Sequence, residues 1–175
     1  MNLIINGITD SSFNDFENQL EQITHKDSTY FKLRDMTINY CQGCWDCWVK
    51  TPGKCVFKDD YEQILSMIPS ADVVTVITPI IAGYESSLVK TFSDRMIPIA
   101  HPYIKIYKGE QHHRQRYLKN PDYKLIILED EYTTEEDIRN IKELYERMML
   151  NFKADLIEVI SLKKGAEFNH VINDI

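Results

Sequence analysis

The sequence predicts a three-layer α/β fold, a doubly wound parallel sheet of five strands with helices on both faces, and three observations predict it. Short apolar runs alternate with stretches whose apolar residues recur every three or four positions, the pattern of strand and helix in turn. One run, Val73-Val74-Thr75-Val76-Ile77, is almost entirely β-branched, which suits a strand buried on both faces of a parallel sheet. A length of 175 residues with 43% apolar content matches a single domain, 1–175, able to bury an ordinary core. A sheet of this kind takes its ligands outside the carboxyl ends of its strands, where the strand order reverses.

The first strand is expected over Leu3 to Asn6, closed by Gly7. Ser11 or Ser12 caps the following helix, whose inward stripe is Phe13, Phe16, Leu20 and Ile23. A second strand near Tyr30 to Arg34 leads into a cysteine-rich loop, and Asp59 with Glu62 three positions later has the form of a capping box. Tyr61, Ile64, Leu65 and Ile68 then form a core stripe. Thr78-Pro79 ends the third strand, and a helix beginning near Ser86 turns Leu88, Val89 and Phe92 inward. From 97 to 121 the alternation breaks, and this stretch reads as an insertion lying over the end of the sheet. The fourth strand is expected over Lys124 to Leu128, then a helix capped by Thr133 and Glu136 with Ile138, Ile141, Leu144, Tyr145 and Met148 inside. Leu156 to Leu162 is the fifth strand, and the short tail after Gly165 leaves the last helix abbreviated or absent.

A net charge of −7 argues against nonspecific nucleic-acid binding, although it says little about any one anion site. The sequence shows neither a charged leader with a long apolar run nor a membrane-length apolar stretch, so a cytoplasmic protein without a membrane partner is expected. In that reducing compartment, Cys41, Cys44, Cys47 and Cys55 suggest metal, cluster or thiol chemistry more than a structural bridge. The loop reads CQGCWDCWVKTPGKC, with two residues in each of the first gaps and seven before the fourth cysteine. Short gaps let neighbouring thiolates converge on one centre, and Pro52-Gly53 can turn the chain so that Cys55 returns to it. Four soft ligands suit a 4Fe-4S cluster or zinc; the alternative is four reduced thiols that pack or sense oxidants. Lys50 and Lys54 would offset thiolate charge.

At the other candidate site, helix-start amides with the hydroxyls of Thr9, Ser11 and Ser12 form a cradle for a phosphate, which Asp10 would oppose. Simple helix capping by serine explains the same residues.

In order along the chain come the cysteine loop, Asp59-Asp60, Ala71-Asp72 before an apolar strand, Thr78-Pro79, Lys90 and Asp94-Arg95. With these the sequence resembles the NADPH-dependent FMN reductase group of the flavodoxin-like superfamily, which includes the iron-sulfur flavoproteins. The resemblance implies a sheet of order 2-1-3-4-5, bound FMN, two-electron transfer from NAD(P)H, and assembly into homodimers or homotetramers that complete the flavin sites. It also implies that Thr78, Pro79, Ile80, Ile81, Ala82 and Gly83 face the flavin ring, where backbone amides would stabilise the charge of a reduced flavin. Some relatives assemble a 4Fe-4S cluster on such a cysteine loop, and many with a similar loop do not.

Two places depart from the family pattern. The phosphate loop carries Asp10, and the fourth strand is followed by Glu129-Asp130-Glu131, which would disfavour an anionic reduced ring unless the carboxylates point into solvent. Tyr132, Trp45 or Trp48 could stack on a ring, though core packing is the commoner fate of such residues. The insertion's His101, Glu110, His112, His113, Arg116 and Tyr117 match no metal spacing, and adjacent histidines on an extended chain point apart. A cofactor lid or oligomer contact is the expected role, with Arg114 and Arg116 available to a nucleotide phosphate. The leading expectation is therefore an FMN-dependent oxidoreductase drawing on NAD(P)H and serving a quinone, nitroaromatic, flavin or protein acceptor. An electron-transfer protein holding FMN and a cluster, and a cofactor-free binding module, are the rivals.

Overall fold

The computed structural model of the chain describes residues 1–23 and 28–166. Its main sheet runs β2-β1-β3-β7-β8, with every neighbouring pair parallel. Those strands are β1 (Asn2–Asn6), β2 (Ser28–Lys32), β3 (Val73–Ile81), β7 (Asp122–Glu129) and β8 (Leu156–Lys163). The order is the predicted 2-1-3-4-5, with β3 extended by the antiparallel β4 (Tyr84–Glu85) and a separate hairpin of β5 (Ala100–Tyr107) and β6 (Glu110–Gln115) interposed. The helices are α1 (Asn14–Ile23), α2 (Asp46–Val49), α3 (Tyr61–Met67), α4 (Ser87–Asp94) and α5 (Glu135–Phe152).

Alternating side chains divide the core into two layers, as the strand period of two requires. Leu3 and Ile5 of β1, Val74 and Val76 of β3, and Leu125 and Ile127 of β7 pack with α3, α4 and α5 on one face. Ile4, Ile77, Ile126 and Leu128 turn to the other, where Phe16 and Leu20 of α1 meet them. The predicted stripes Tyr61, Ile64, Leu65 and Val89, Phe92 are buried, as are Ile141 and Tyr145. Leu144 is instead an exposed residue of α5. The side chain of Ile23 and the segment 167–175, where the last helix was in question, lie outside the described residues.

Several boundaries move, each for a local reason. β2 starts and stops two residues early, because Leu33–Asp35 coils into a 3-10 turn. A 3-10 turn over Ser11–Phe13 precedes α1, and Asp10 caps it in place of either serine, its Oδ1 accepting from Ser12 N at 2.8 Å. α5 is capped by Thr134 with Asp137, one residue beyond the predicted Thr133 and Glu136, and both hydrogen bonds of a capping box are present. α4 begins at the predicted place, with Ser86 Oγ accepting from Val89 N.

The largest shift is that Thr78-Pro79 does not end β3. Ile77 O accepts from Gly7 N at 2.9 Å, so the Ile77 backbone faces β1. Two residues on, Pro79 faces the same side, where β1 has already turned away after Asn6. The missing proline N–H therefore costs no ladder bond, and Thr78 and Pro79 continue pairing with Ile127 and Leu128 of β7. The strand then reverses into β4 through Ala82 and Gly83, both at positive φ (52° and 81°), as a two-residue hairpin turn of the primed type requires.

The insertion also lies elsewhere than expected. Its hairpin packs on α5: His112 is buried, its Nδ1 paired with Asn151 Oδ1 at 3.2 Å, while Arg147 forks onto Glu110 at 3.0 and 2.6 Å. His113 points the other way, toward Trp48, with ring centres 5.1 Å apart. Arg116 donates to Pro98 O at 2.8 Å. Neither Arg114 nor Arg116 lines the cleft at the strand ends.

Candidate functional site

Where the order of strands reverses between β1 and β3, the carboxyl ends of β1, β3, β7 and β8 surround an open cleft of about 600 Å³. That is the size of a cofactor pocket and the place where a doubly wound sheet puts one. Ile8, Phe13, Pro79, Ile80, Ile81, Leu128 and Tyr132 give it apolar walls. Thr9, Ser12, Asp10, Asp130, Glu131, Lys163 and Lys164 give it polar ones.

Of the predicted residues, Thr9, Ser12, Pro79, Ile80 and Ile81 meet here. Ser11 lines the adjoining cleft beside Lys164. Thr78 is buried and structural: its Oγ1 accepts from Ser86 N at 2.9 Å and donates to Pro79 O at 3.0 Å. Ala82 and Gly83 are not among the cleft's lining residues, and a Cβ on Gly83 would come within 2.9 Å of Asp137 Oδ1 in α5.

Just before the cleft-lining residues Ile8 and Thr9, the chain passes through a close contact at Gly7. A Cβ on Gly7 would lie 2.0 Å from Val89 Cγ2 and 3.0 Å from Ile77 O, and Ser86 Oγ donates to Gly7 O at 2.7 Å. Glycine there lets α4 and β3 close on the β1 loop. The loop amides that would meet a phosphate are already engaged: Ile8 N donates to Asn6 Oδ1 at 2.9 Å and Ser12 N to Asp10 Oδ1. Hydrogen bonds from Ser12 hold the Asp10 carboxyl below its ordinary pKa. Asp10 thus occupies an amide that a phosphate at this loop would use, so a phosphate there would have to displace it or bind beside it. Lys164, close enough to act on Asp10, lines both clefts and is the cation at that end.

The acidic run divides. Glu129 is buried away from the cleft and accepts from Ser161 Oγ at 2.6 Å. Asp130 closes a turn, accepting from Tyr132 N at 2.9 Å and Thr133 Oγ1 at 2.8 Å, and Glu131 remains beside it. Sequence reasoning missed Lys163 and Lys164, although a Lys-Lys-Gly sequence at the carboxyl end of the last strand falls where such a sheet holds its ligand.

The second site is the cysteine loop, 36–60, which hangs from α3 and α4. Cys41, Cys44, Cys47 and Cys55 all line one narrow pocket of about 30 Å³, together with Phe57, Asp94 and Arg95. Gly43 and Trp45, at φ 61° and 62°, curl the chain so that the first three can face it. Burial, reinforced by Cys55, Cys41 and Cys44, pushes the Cys47 thiol up to about 11, so this sulfur is a poor nucleophile at neutral pH.

What fixes the loop is the family-like pair Asp59 and Arg95. Both side chains are almost completely buried, at 3% and 1% exposure, and they form an ion pair. Asp59 Oδ2 also accepts from Asn39 N and Nδ2, each at 2.9 Å. Burial alone would raise the Asp59 pKa, but Arg95 and the Asn39 donors outweigh it and hold the carboxyl low. The guanidinium lies over Tyr61, 4.6 Å from the ring centre, and donates through Nη1 to Asn39 O at 3.1 Å. Trp48 adds a second anchor, its indole N–H shared between Ile97 O at 3.2 Å and Ala100 O at 3.0 Å.

Among the described residues no group of three or more His, Cys, Asp or Glu side chains stands at metal-binding spacing. The donors nevertheless fit a soft-metal centre in two respects: four thiols share one pocket, and Arg95 Nε and Nη2 are buried there without a well-formed hydrogen bond among the described residues, Cys55 lying within reach. Thiols drawn together by the metal they bind need no closed site beforehand. The two sites share no lining residue.

No family model matches the chain. It is 38% identical over 64 residues to an iron-sulfur flavoprotein of Archaeoglobus fulgidus, covering 37% of this chain and 28% of that one. It is 34% identical over 80 residues to an iron-sulfur flavoprotein of Methanocaldococcus jannaschii, covering 46% and 40%. The chain thus spans less than half the length of the curated relatives it matches. In fold it is similar to an FMN-dependent NADH-azoreductase of Bacillus anthracis solved with FMN, at 15% identity and a TM-score of 0.57, covering 99% of this chain and 92% of that one. A putative quinone reductase of Klebsiella pneumoniae aligns with a TM-score of 0.64 at 10% identity, covering 99% and 79%. The chain is thus similar over part of its length to iron-sulfur flavoproteins, and it shares the flavodoxin-like fold of the solved reductases.

Proposed function

We propose that the chain is an FMN-dependent oxidoreductase that takes a hydride from NAD(P)H and passes electrons to a quinone, nitroaromatic, free flavin or protein acceptor. The observation that carries this reading is the cleft of about 600 Å³ at the topological switch point, apolar along β3 and cationic at the end of β8. FMN bound there would supply the two-electron chemistry. Pro79, Ile80, Ile81 and Tyr132 would hold its ring and exclude water, while Thr9, Ser12 and Lys164 would hold the phosphate end. Asp10, Asp130 and Glu131 against Lys163 and Lys164 leave one net negative charge (3 − 2) around the cleft, which works against an anionic reduced ring. Turning Glu129 away lessens that effect.

The similar proteins, an NADH-azoreductase carrying FMN among them, support the reading. So does the mouth of the cleft, where Ile81 and Tyr132 are 47% and 79% exposed, an apolar rim suited to cover by a second chain in a cytoplasmic homodimer or homotetramer. Titrating the purified chain with FMN tests it: one flavin per chain with altered fluorescence, bleached anaerobically by NADH or NADPH and restored by a quinone, is the expected result. Unchanged flavin emission at saturating protein would sink it.

A second reading is favoured by the cysteine pocket: Cys41, Cys44, Cys47 and Cys55 hold a 4Fe-4S cluster that passes single electrons to a protein partner. Its support is the shared pocket, the buried Arg95 donors that make no well-formed hydrogen bond among the described residues, and the similarity to iron-sulfur flavoproteins. Anaerobic protein with about four irons and four sulfides per chain, lost in Cys44→Ser, is the expected outcome; iron-free thiols after reconstitution would remove it.

A further inference from the structure

Arg95 stands at the carboxyl end of α4, directly after Asp94. Arg95 is 1% exposed, lines the pocket with all four cysteines, and keeps only part of its guanidinium occupied. Nη1 is engaged by Asp59 and by Asn39 O at 3.1 Å, and the plane rests on Tyr61 at 4.6 Å and Phe57 at 5.7 Å. Nε and Nη2 make no well-formed hydrogen bond among the described residues, and the Cys55 thiol, a weak acceptor, lies within reach of the group. A buried donor without an acceptor costs about 1–3 kcal/mol, more when charged. Two such donors on one cation, held rigidly by a carboxylate and two rings, mark a place prepared for an anionic partner. Among the described groups that line the pocket, the Asp94 carboxylate is already paired with Lys90, which leaves the four sulfurs as candidates for that partner.

We propose that Arg95 is the positioning residue that sets the reduction potential of the cluster, its Nε and Nη2 donating to sulfur while Asp59 fixes the guanidinium from the other side. This rests on the second reading above. Reduction brings one electron to the cluster and adds one negative charge. A fixed cation with N–H donors at the sulfurs favours that more negative state, so Arg95 raises the potential. Asp59 is needed to orient the cation, and its own charge limits the size of the effect.

The test is an anaerobic titration of the reconstituted full chain with dithionite as electron donor, followed by electron paramagnetic resonance, with iron and sulfide counted in parallel. Asp59→Asn with Arg95→Gln removes both charges together and leaves no buried ion unpaired. Arg95→Lys keeps the ion pair, and with it the fold, while losing the planar fork. The expected result is a cluster in each protein, with the one-electron equilibrium shifted at least tenfold toward the oxidised state in the double variant, 59 mV lower, and by less in Arg95→Lys. A merely structural role would lower cluster content without moving the potential. Wild-type protein that binds no iron overturns the cluster reading and this one with it. A wild-type cluster whose potential is the same in either variant overturns this inference alone.

Discussion

The cleft at the strand ends and the pocket of the cysteine loop are built by opposite means. The cleft is a by-product of topology: once β1 and β3 diverge, a hollow exists whatever side chains surround it, and its shape is held by backbone contacts at Gly7, Ile77 and Ser86. The cysteine pocket has no such support from the sheet. It exists because one buried ion pair and one indole hold a loop of some twenty-five residues against α4 and the hairpin. The first site should therefore tolerate changes in charge and fail on changes in volume, and the second should do the reverse.

Arg95→Leu tests that contrast hardest. It leaves Asp59 buried and unpaired, and about 3–5 kcal/mol of unfolding free energy should go in urea denaturation at pH 7. Because the folded Asp59 pKa lies below its unfolded value near 3.9, the wild-type advantage is complete above that pH and fades as pH falls through the folded value. If the loss is the same at pH 3 and pH 7, the ion pair is not what holds the loop.

Gly7→Ala comes next. The new methyl would meet Val89 at 2.0 Å, so overpacking should cost about 1–3 kcal/mol and weaken FMN binding, while Cys44→Ser leaves both unchanged. Thr134→Ala, at a residue that lines neither site, removes the cap of α5 and should cost about 1 kcal/mol, whereas Thr133→Ala should cost less.

The smallest effect is expected at Glu85, where burial, partly offset by the Tyr145 hydroxyl at 2.7 Å, raises the carboxyl pKa. A raised acid weakens the fold above its folded pKa and ceases to do so below its unfolded value near 4.3. Glu85→Gln keeps an oxygen acceptor for Tyr145, so it should stabilise the protein by up to about 1 kcal/mol near neutral pH. The gain should vanish in acid, and thermal melts at pH 7 and pH 4 distinguish the two cases.

How far the sequence revealed each site follows the same division. Strand order and core stripes were legible because periodicity reports burial directly, as Val73 to Ile77 and Tyr61, Ile64 and Leu65 show. The location of the cleft followed from topology. Its lining did not, because Thr78 and Gly83 look like neighbours of Ile80 in sequence and face different partners in space. Pro79 misled for a related reason: a proline ends a strand only if its missing N–H was needed, and that depends on where β1 stops. The cysteine spacing advertised its pocket plainly. The Asp59–Arg95 contact that builds it spans thirty-six positions and leaves no periodic trace.

Trp48 carries one more consequence. The chain has two tryptophans, and both belong to the cysteine segment, stacked with ring centres 4.9 Å apart. Ultraviolet emission excited at the red edge of protein absorbance therefore comes from that one loop. The chain holds its own optical reporter, in which a disturbance of the thiols or of the Ile97 and Ala100 carbonyls can be seen without any label.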